Sequence, residues 1–317
     1  MFTWIKRGLV FEPARQGVGG WMQHSALTPT PYRLDEETIR VYAGFRDAQG
    51  VSRIGYVDVW ASDPTVVLRV SAEPVLDIGR DGCFDDNGMI LGDLVDAPGG
   101  LHMFYVGFQR VAKAKFLAFT GLAVSTDGGE SFQRVQETPI LDRAPSRSTI
   151  AAVHSAMWEN GRWRLWYAVG DDWETIGGQL YPRYHIRYAE TASLQGMPRA
   201  DRVCLLPQGS EYRIGRPRVY RINDRYAMYF TRGNITGEYF PGVAFSDDGT
   251  RWERHDEALG VSLSASGWDS RTLCYPALIR RDDTWLMFYN GNDMGMDGFG
   301  VAEAVMVHAK DEAHVHA

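Results

Sequence analysis

The sequence predicts an all-β fold, a five-bladed β-propeller with four-stranded antiparallel blades around a central channel. Three observations predict it. Almost no window carries apolar residues at helical spacing. Aromatic residues make up 12% of the chain, with 34 glycines. Most telling, one aromatic strand recurs five times: RVYAGFRD, HMFYVGFQ, RLWYAVGDD, AMYFTRGN and LMFYNGND. Its tyrosines are Tyr42, Tyr105, Tyr167, Tyr229 and Tyr289, separated by 63, 62, 62 and 60 residues. The period runs unbroken along the chain, which argues for one domain over residues 1–317 rather than two.

Each repeat supplies its own strands. An apolar strand precedes every tyrosine strand: ALTPTPYRL, MILGDLV, AAVHSAMW, RPRVYRI and CYPALIR. Another follows it: SRIGYVDVW, FTGLAVS, HIRYAET, GVAFS and GFGVAEAVMV. A weaker fourth strand is expected at EPVLD and TPILD. The last repeat lacks one, and the N-terminal GLVFEP has the same character. A strand over about residues 7–14 is therefore expected to complete the last blade, which removes an open sheet edge. STDGGESF (125–132) and SDDGTRW (246–252) fit the turn between third and fourth strands. Both resemble the Asp-box of sialidase-type propellers, a turn whose Asp accepts from backbone N–H groups.

Composition narrows the partners. The charge is mildly acidic, 33 Lys+Arg against 40 Asp+Glu for a net −7, with no basic run, so no nucleic-acid partner is expected. No stretch approaches ~18 consecutive apolar residues and the start has no signal-peptide core, so no membrane span is expected. Cys83, Cys204 and Cys274 are odd in number and widely spaced, neither a disulfide framework nor a zinc pattern. A soluble, reduced, cytoplasmic protein is the expectation.

The propeller topology then locates a site. The mouth of each first strand and the exit of each second strand lie on one face, around the channel. Counting back 18 to 20 residues from each tyrosine reaches His24, Asp85/Asp86, Arg147/Ser148, Glu211 and Asp269. Counting forward three to five reaches Arg46/Asp47, Gln109/Arg110, Asp171/Asp172, Asn234 and Asn292/Asp293. Carboxylates crowded at one concave mouth push one another's pKa values apart, so that one donates a proton while another stays ionised. Asp86, Glu211 and Asp269 are the catalytic candidates. His24, Arg46, Asp47, Asp85, Asn87, Arg216 and Asn292 are candidate polar contacts. Trp173, Tyr184, Trp268 and Tyr275 are candidate stacking platforms for a sugar.

Each has a plainer reading beside it, because loops are polar and Asp and Asn favour turns. Asp269 can cap a turn, Asp47 can pair with Arg53, and Asp171 and Asp172 can be solvated. Trp268 and Tyr275 can fill the space between blades. A lone His24 beside a proline-rich strand suits a structural role, His154 suits the core and His102 an exposed position. No His/Cys/Asp cluster has metal-ligand spacing, so no metal or other cofactor is expected. A serine nucleophile elbow and a Gly-rich phosphate turn are both absent from the sequence.

The motifs HSALTPTP (24–31), RDAQGVSRIGYVDV (46–59), GCFDDNG (82–88), GLAVSTDGGESF (121–132), PRYHIRYAE (182–190), GRPRV (215–219), GWDS (267–270), CYP (274–276) and FYNGNDMGMDGFG (288–300) span nearly the whole chain. With them the chain resembles the five-bladed β-propeller glycosidase superfamily, which contains glycoside hydrolase families 32, 43 and 130. It is most similar to bacterial glycosidase-like members, themselves related to the N-terminal propeller of plant glucosamine inositolphosphorylceramide transferases. The resemblance implies carboxylate acid/base chemistry with roles for Asp86, Glu211 and Asp269. Departures limit it: the chain has no N-D-P at a first inner strand, no R-D-P at a second (Arg46-Asp47-Ala48 lies on a different loop) and no E-C pair. Family 32 assignments therefore do not transfer.

Two readings follow. In the first, a carbohydrate-active enzyme of hydrolase or phosphorylase type cleaves a glycosidic bond, Asp86 acting as base or nucleophile and Glu211 or Asp269 as general acid. In the second, a non-catalytic sugar-binding propeller, or a domain associated with a glycosyltransferase, serves polysaccharide or glycolipid assembly.

Overall fold

The computed structural model describes residues 2–16, 19–195 and 201–306. The chain is all-β apart from single turns of helix, as its aromatic and β-branched runs require. Strand β1 (Phe2–Phe11) is followed by β2 (His24–Arg33), β3 (Thr38–Arg46), β4 (Ser52–Trp60) and β5 (Val67–Val70), which pair in chain order as an antiparallel run. The next run is β6 (Met89–Ala97), β7 (Gly100–Gln109), β8 (Leu117–Ser125) and β9 (Gln133–Arg134). Then come β10 (Ile150–Glu159), β11 (Arg162–Ile176), β12 (Gln179–Thr191) and β13 (Arg202–Leu205). After them lie β14 (Glu211–Ile222), β15 (Arg225–Asn234), β16 (Tyr239–Ser246) and β17 (Glu253–Arg254). Finally β18 (Cys274–Arg281), β19 (Thr284–Asn290) and β20 (Phe299–Met306) are completed by β1, which pairs antiparallel with β20 from Phe2↔Met306 to Phe11↔Phe299. Short parallel contacts join β8 to β10 and β12 to β14, so the three middle runs form one continuous sheet.

The repeat tyrosines are structural. All five sit in the second strand of their run and all are buried. Apolar cores lie between successive runs, for example Tyr42, Leu91, Tyr105, Val153 and Tyr167 in one and Trp166, Ile214, Met228 and Phe230 in another. Phe11, Val41, Phe45, Phe288 and Phe299 form a further core between the last run and the first. Each fully buried ring contributes about 1.5–3 kcal/mol by removal from water.

Polar bonds follow the same circuit. Thr28 Oγ1 donates to Leu91 O (3.4 Å), Ala156 N to Asp93 Oδ2 (2.8 Å) and Val219 N to Ser155 Oγ (3.0 Å). Tyr275 N donates to Thr231 Oγ1 (3.0 Å), and Thr28 N to Asn290 Oδ1 (2.8 Å). Each run is thus stitched to the next, through first strands in the earlier runs and through the second strands β15 and β19 in the last two junctions.

The two Asp-containing turns clip one run to the one before it. Asp127 accepts from the N–H groups of Glu130 and Ser131, and Gly129 O accepts from the hydroxyl of Tyr42 (2.8 Å). Asp248 accepts from Thr250 N and Arg251 N, and Gly249 O accepts from Trp166 Nε1 (2.8 Å).

The expected fourth strands at EPVLD and TPILD are corrected. Those segments make only single bridges, Ile54↔Leu76 and Thr120↔Leu141, and the fourth strands lie earlier, at β5 and β9. Pro74 and Pro139 supply no N–H for a ladder. The loop expected at Asp171 and Asp172 is instead an extended hairpin, in which β11 continues to Ile176 and β12 begins at Gln179.

Candidate functional site

Every first strand carries a β-bulge at the same place. Pairing slips between Leu27 and Thr30, Leu91 and Asp93, Val153 and Ser155, Gly215 and Arg218, and Cys274 and Ala277. The residues inside the slips include Thr28, Gly92, His154, Arg216 and Tyr275, 13 or 14 positions before the repeat tyrosine by subtraction. Thr28, Arg216 and Tyr275 have φ of 58°, 54° and 57°, a left-handed backbone that costs a side-chain-bearing residue about 1–2 kcal/mol. Bulges re-aim side chains out of the regular alternation, and here they bring all five runs to one point. The Arg216 guanidinium donates to Leu91 O, the same carbonyl that accepts from Thr28, lies 3.3 Å from His154 Nδ1, and stacks 5.3 Å above the Tyr275 ring.

The acids, by contrast, are mostly occupied. Glu211 is clamped by Arg254 through two bonds (2.6 and 2.8 Å) and also accepts from Gln208 N (2.9 Å). Burial alone would raise its carboxyl, but Arg254 and the Gln208 N–H outweigh that and hold it below the usual range. A carboxyl so held stays ionised, which does not suit the general-acid role expected of it. Asp269 pairs with Lys6 of β1 (2.6 Å) and accepts from the Tyr289 hydroxyl (3.0 Å). Burial opposes its charge too, and Lys6, Ser264 and Tyr289 together lower its pKa. Asp85 is fully buried against Arg134 (2.8 Å), next to Tyr105. Asp47 pairs with Arg53 (2.7 Å) and accepts from Gln49 N and Val51 N, holding its own loop.

Two amides and one tryptophan on the rim are likewise committed to structure. Asn87 Oδ1 accepts from Arg110 N (2.9 Å). Asn292 Oδ1 accepts from Arg271 N and Thr272 N while its Nδ2 donates to Gly267 O (2.9 Å), so both ends of the amide hold local backbone. Trp268 stacks on Tyr289 (5.1 Å, 28°), and a Cβ at Gly291 or Gly300 would run into its ring. Trp268 thus packs within the last run and is partly exposed.

Asp86 differs. Its Oδ2 accepts from Gly82 N (2.8 Å), whereas its Oδ1 is buried with no partner, and no cation pairs with it among the described residues. His24 opens β2 opposite Arg46 in register and bonds Ser25 Oγ (3.0 Å). Trp173 stands on the extended hairpin, half-buried against the core beneath.

The arginines supply the signal missing from the acids. Arg213 sits over the rings of Tyr239 (4.7 Å), Tyr212 (4.9 Å) and Tyr184 (5.9 Å), and the Tyr239 and Tyr275 rings meet edge-on at 5.7 Å. Burial lowers the pKa of Arg46, with Tyr275 acting weakly the other way. Burial first, then Arg218, pushes Arg216 down to about 10. The Nε atoms of Arg46, Arg213 and Arg216 are all buried without a partner. Next to them Arg218 is paired with Asp93 (2.7 Å). Burial works against the charge of Arg218, but Asp93 and Tyr220 prevail and hold its pKa above that of an ordinary arginine. His154 is kept neutral, because burial and then Arg216 and Arg218 push its pKa well down.

Sequence reasoning missed Arg213, Tyr239 and the central position of His154. His102, expected to be exposed, is half-buried and lies against the Trp163 ring (5.3 Å). One signal for the bulges was available: Thr28, Arg216 and Tyr275 each precede a proline, inside strands that should otherwise exclude it.

Comparison with solved structures places the fold among glycoside hydrolases. A protein described as a glycoside hydrolase superposes with a TM-score of 0.73 at 15% identity, over 95% of this chain and 92% of that one. A thermostable family-43 glycoside hydrolase gives 0.67 at 14% identity, over 93% of each chain. A structure from the GH130 family of mannoside phosphorylases, which contains hydrolases targeting β-1,2-mannosidic linkages in Candida mannan, gives 0.66 at 16%, over 96% and 93%. At these identities the likeness is one of fold. The chain is also 30% identical over 305 residues to the uncharacterized protein Rv1502 of Mycobacterium tuberculosis, covering 95% of this chain and 98% of that one, and it belongs to the same family. No family model matches the chain.

Proposed function

We propose that this protein is a five-bladed β-propeller that acts on a glycosidic bond by hydrolysis or phosphorolysis, with Asp86 as its working carboxylate. The five runs would be the blades, and the stitching of each run to the next, with β19 of the last run bonded back to β2 of the first, supports a closed ring. One observation carries the chemical reading: Asp86 alone of the three expected catalytic acids has no cation on it and a buried oxygen without a partner. His24, Arg46, Arg216, Tyr184 and Tyr275 would position the sugar, with hydroxyls bonded by the cations and an apolar face on the rings. The three cysteines are unpaired and two are buried, which suits a reducing, cytoplasmic compartment.

The test is release of the aglycone from a panel of aryl glycosides, with and without inorganic phosphate. Asp86→Asn should reduce turnover by about 10²–10⁴-fold, the range for loss of a positioned acid or base, with unchanged thermal stability. Equal turnover in the variant would defeat the assignment.

A second reading, sugar binding without catalysis, is favoured by the ion pairs on Glu211 and Asp269, which leave only one candidate acid unencumbered. Saccharide binding with no turnover of any glycoside would establish it in place of the first.

A further inference from the structure

We propose that Arg46, Arg213 and Arg216 form the seat of an oxyanion, so that the sugar taken by this site carries a carboxylate or a phosphoryl group. The proposal rests on the reading of the site as a carbohydrate pocket and deepens it. Its ground is a contrast within the molecule. Other arginines drawn into the fold are met by a carboxylate: Arg40 by Asp58 (2.7 Å), Arg134 by Asp85 (2.8 Å), Arg218 by Asp93 (2.7 Å) and Arg254 by Glu211 (2.6 Å). Arg46, Arg213 and Arg216 make no ion pair among the described residues, and each keeps a buried Nε–H with no acceptor.

Taking a guanidinium out of water without a counter-charge is costly, and here it is done three times beside the touching rings of Tyr239 and Tyr275. The three come from two strands of different runs: Arg46 ends β3, while Arg213 and Arg216 stand either side of Ile214 and Gly215 in β14. Arg216 is 5% exposed and is turned by a strained bulge rather than by the regular strand alternation. Backbone strain and unpaired charge at one point mark a place shaped for a ligand. A sugar hydroxyl would satisfy an N–H and leave the charge unbalanced. A planar carboxylate or a phosphoryl group satisfies both, and it matches the guanidinium fork. Tyr184, Tyr239 and Tyr275 then supply the faces on which the sugar ring lies.

Calorimetric titration of the full chain with glucuronate, glucose 6-phosphate, inorganic phosphate and glucose tests this. At least one anionic sugar should bind ten or more times as tightly as glucose, and added salt should weaken that binding. Arg46→Met and Arg213→Met should each weaken it by about tenfold or more, a larger factor than either change costs glucose; these two are chosen because Arg216 is also held in the core. Equal affinity for charged and neutral sugars, or anion affinity unchanged in both variants, would overturn the proposal. Inorganic phosphate binding as tightly as either anionic sugar would overturn the placing of the charge on the sugar. Anion binding without turnover of any glycoside would defeat the enzymatic reading and leave this one standing, and turnover of neutral glycosides with no anion preference would do the reverse.

Discussion

At Arg216 a left-handed backbone and a buried, unpaired charge coincide. The backbone part can be isolated. Arg216→Gly and Arg216→Ala remove the same guanidinium, but only glycine adopts φ near 54° without strain. The glycine variant should therefore be more stable than the alanine variant by about 1 kcal/mol in urea unfolding. Glu211 offers the complementary case. Glu211→Gln removes the charge that answers Arg254, and breaking a buried pair from one side costs about 3–5 kcal/mol. The expected result is a large fall in unfolding midpoint, where a catalytic acid would show lost turnover at unchanged stability. Glu211, Asp269 and Asp85 do lie at the mouths of first strands, where counting from the tyrosines puts them. What the sequence could not show is who meets them, since Arg254, Lys6 and Arg134 arrive from strands remote in the chain and a count along one strand carries no information about another.

The elements were legible to different depths. First, second and third strands follow the aromatic and apolar alternation, and each repeat tyrosine lies in a second strand. The fourth strands were misplaced because Pro74 and Pro139 look like strand punctuation but cannot join a ladder. The bulges were written only as prolines after Thr28, Arg216 and Tyr275, and at Gly92 and His154 no proline marks them. The Asp-containing turns were readable and have a pH signature. The Ser125 and Ser131 hydroxyls hold Asp127 down to about 2, and the Arg251 and Thr250 N–H groups hold Asp248 down to about 2. Both lie below the unfolded value of 3.8. Such groups stabilise the fold fully above about pH 4 and lose that contribution as pH falls through about 2. The double variant Asp127→Asn, Asp248→Asn should lose less stability than the parent between pH 4 and pH 2, read from urea midpoints across that range.

For the whole molecule, the sixty-residue period was the most informative feature, because a repeat that cannot bury its own faces must stack on its neighbours. The cores between runs, including the one joining last to first, bear out that stacking. The last run depends on β1, whose Trp4 is buried beside Tyr229 and whose Lys6 answers Asp269. Removing residues 1–11 should expose the edge of β20, lower the thermal midpoint and raise the aggregated fraction in size-exclusion chromatography. An unchanged midpoint would mean that the strand is an ornament.

The same strand has a consequence for synthesis. Phe2 takes Met306 as its partner, roughly three hundred residues further on, and contacts across so much chain form slowly. While the ribosome is still working, β1 has no mate, and a stretch of apolar backbone waits with its hydrogen-bonding groups bare. Chaperone attention during translation is the natural corollary, as is a birth in which the molecule becomes itself only when its latest strand meets its earliest.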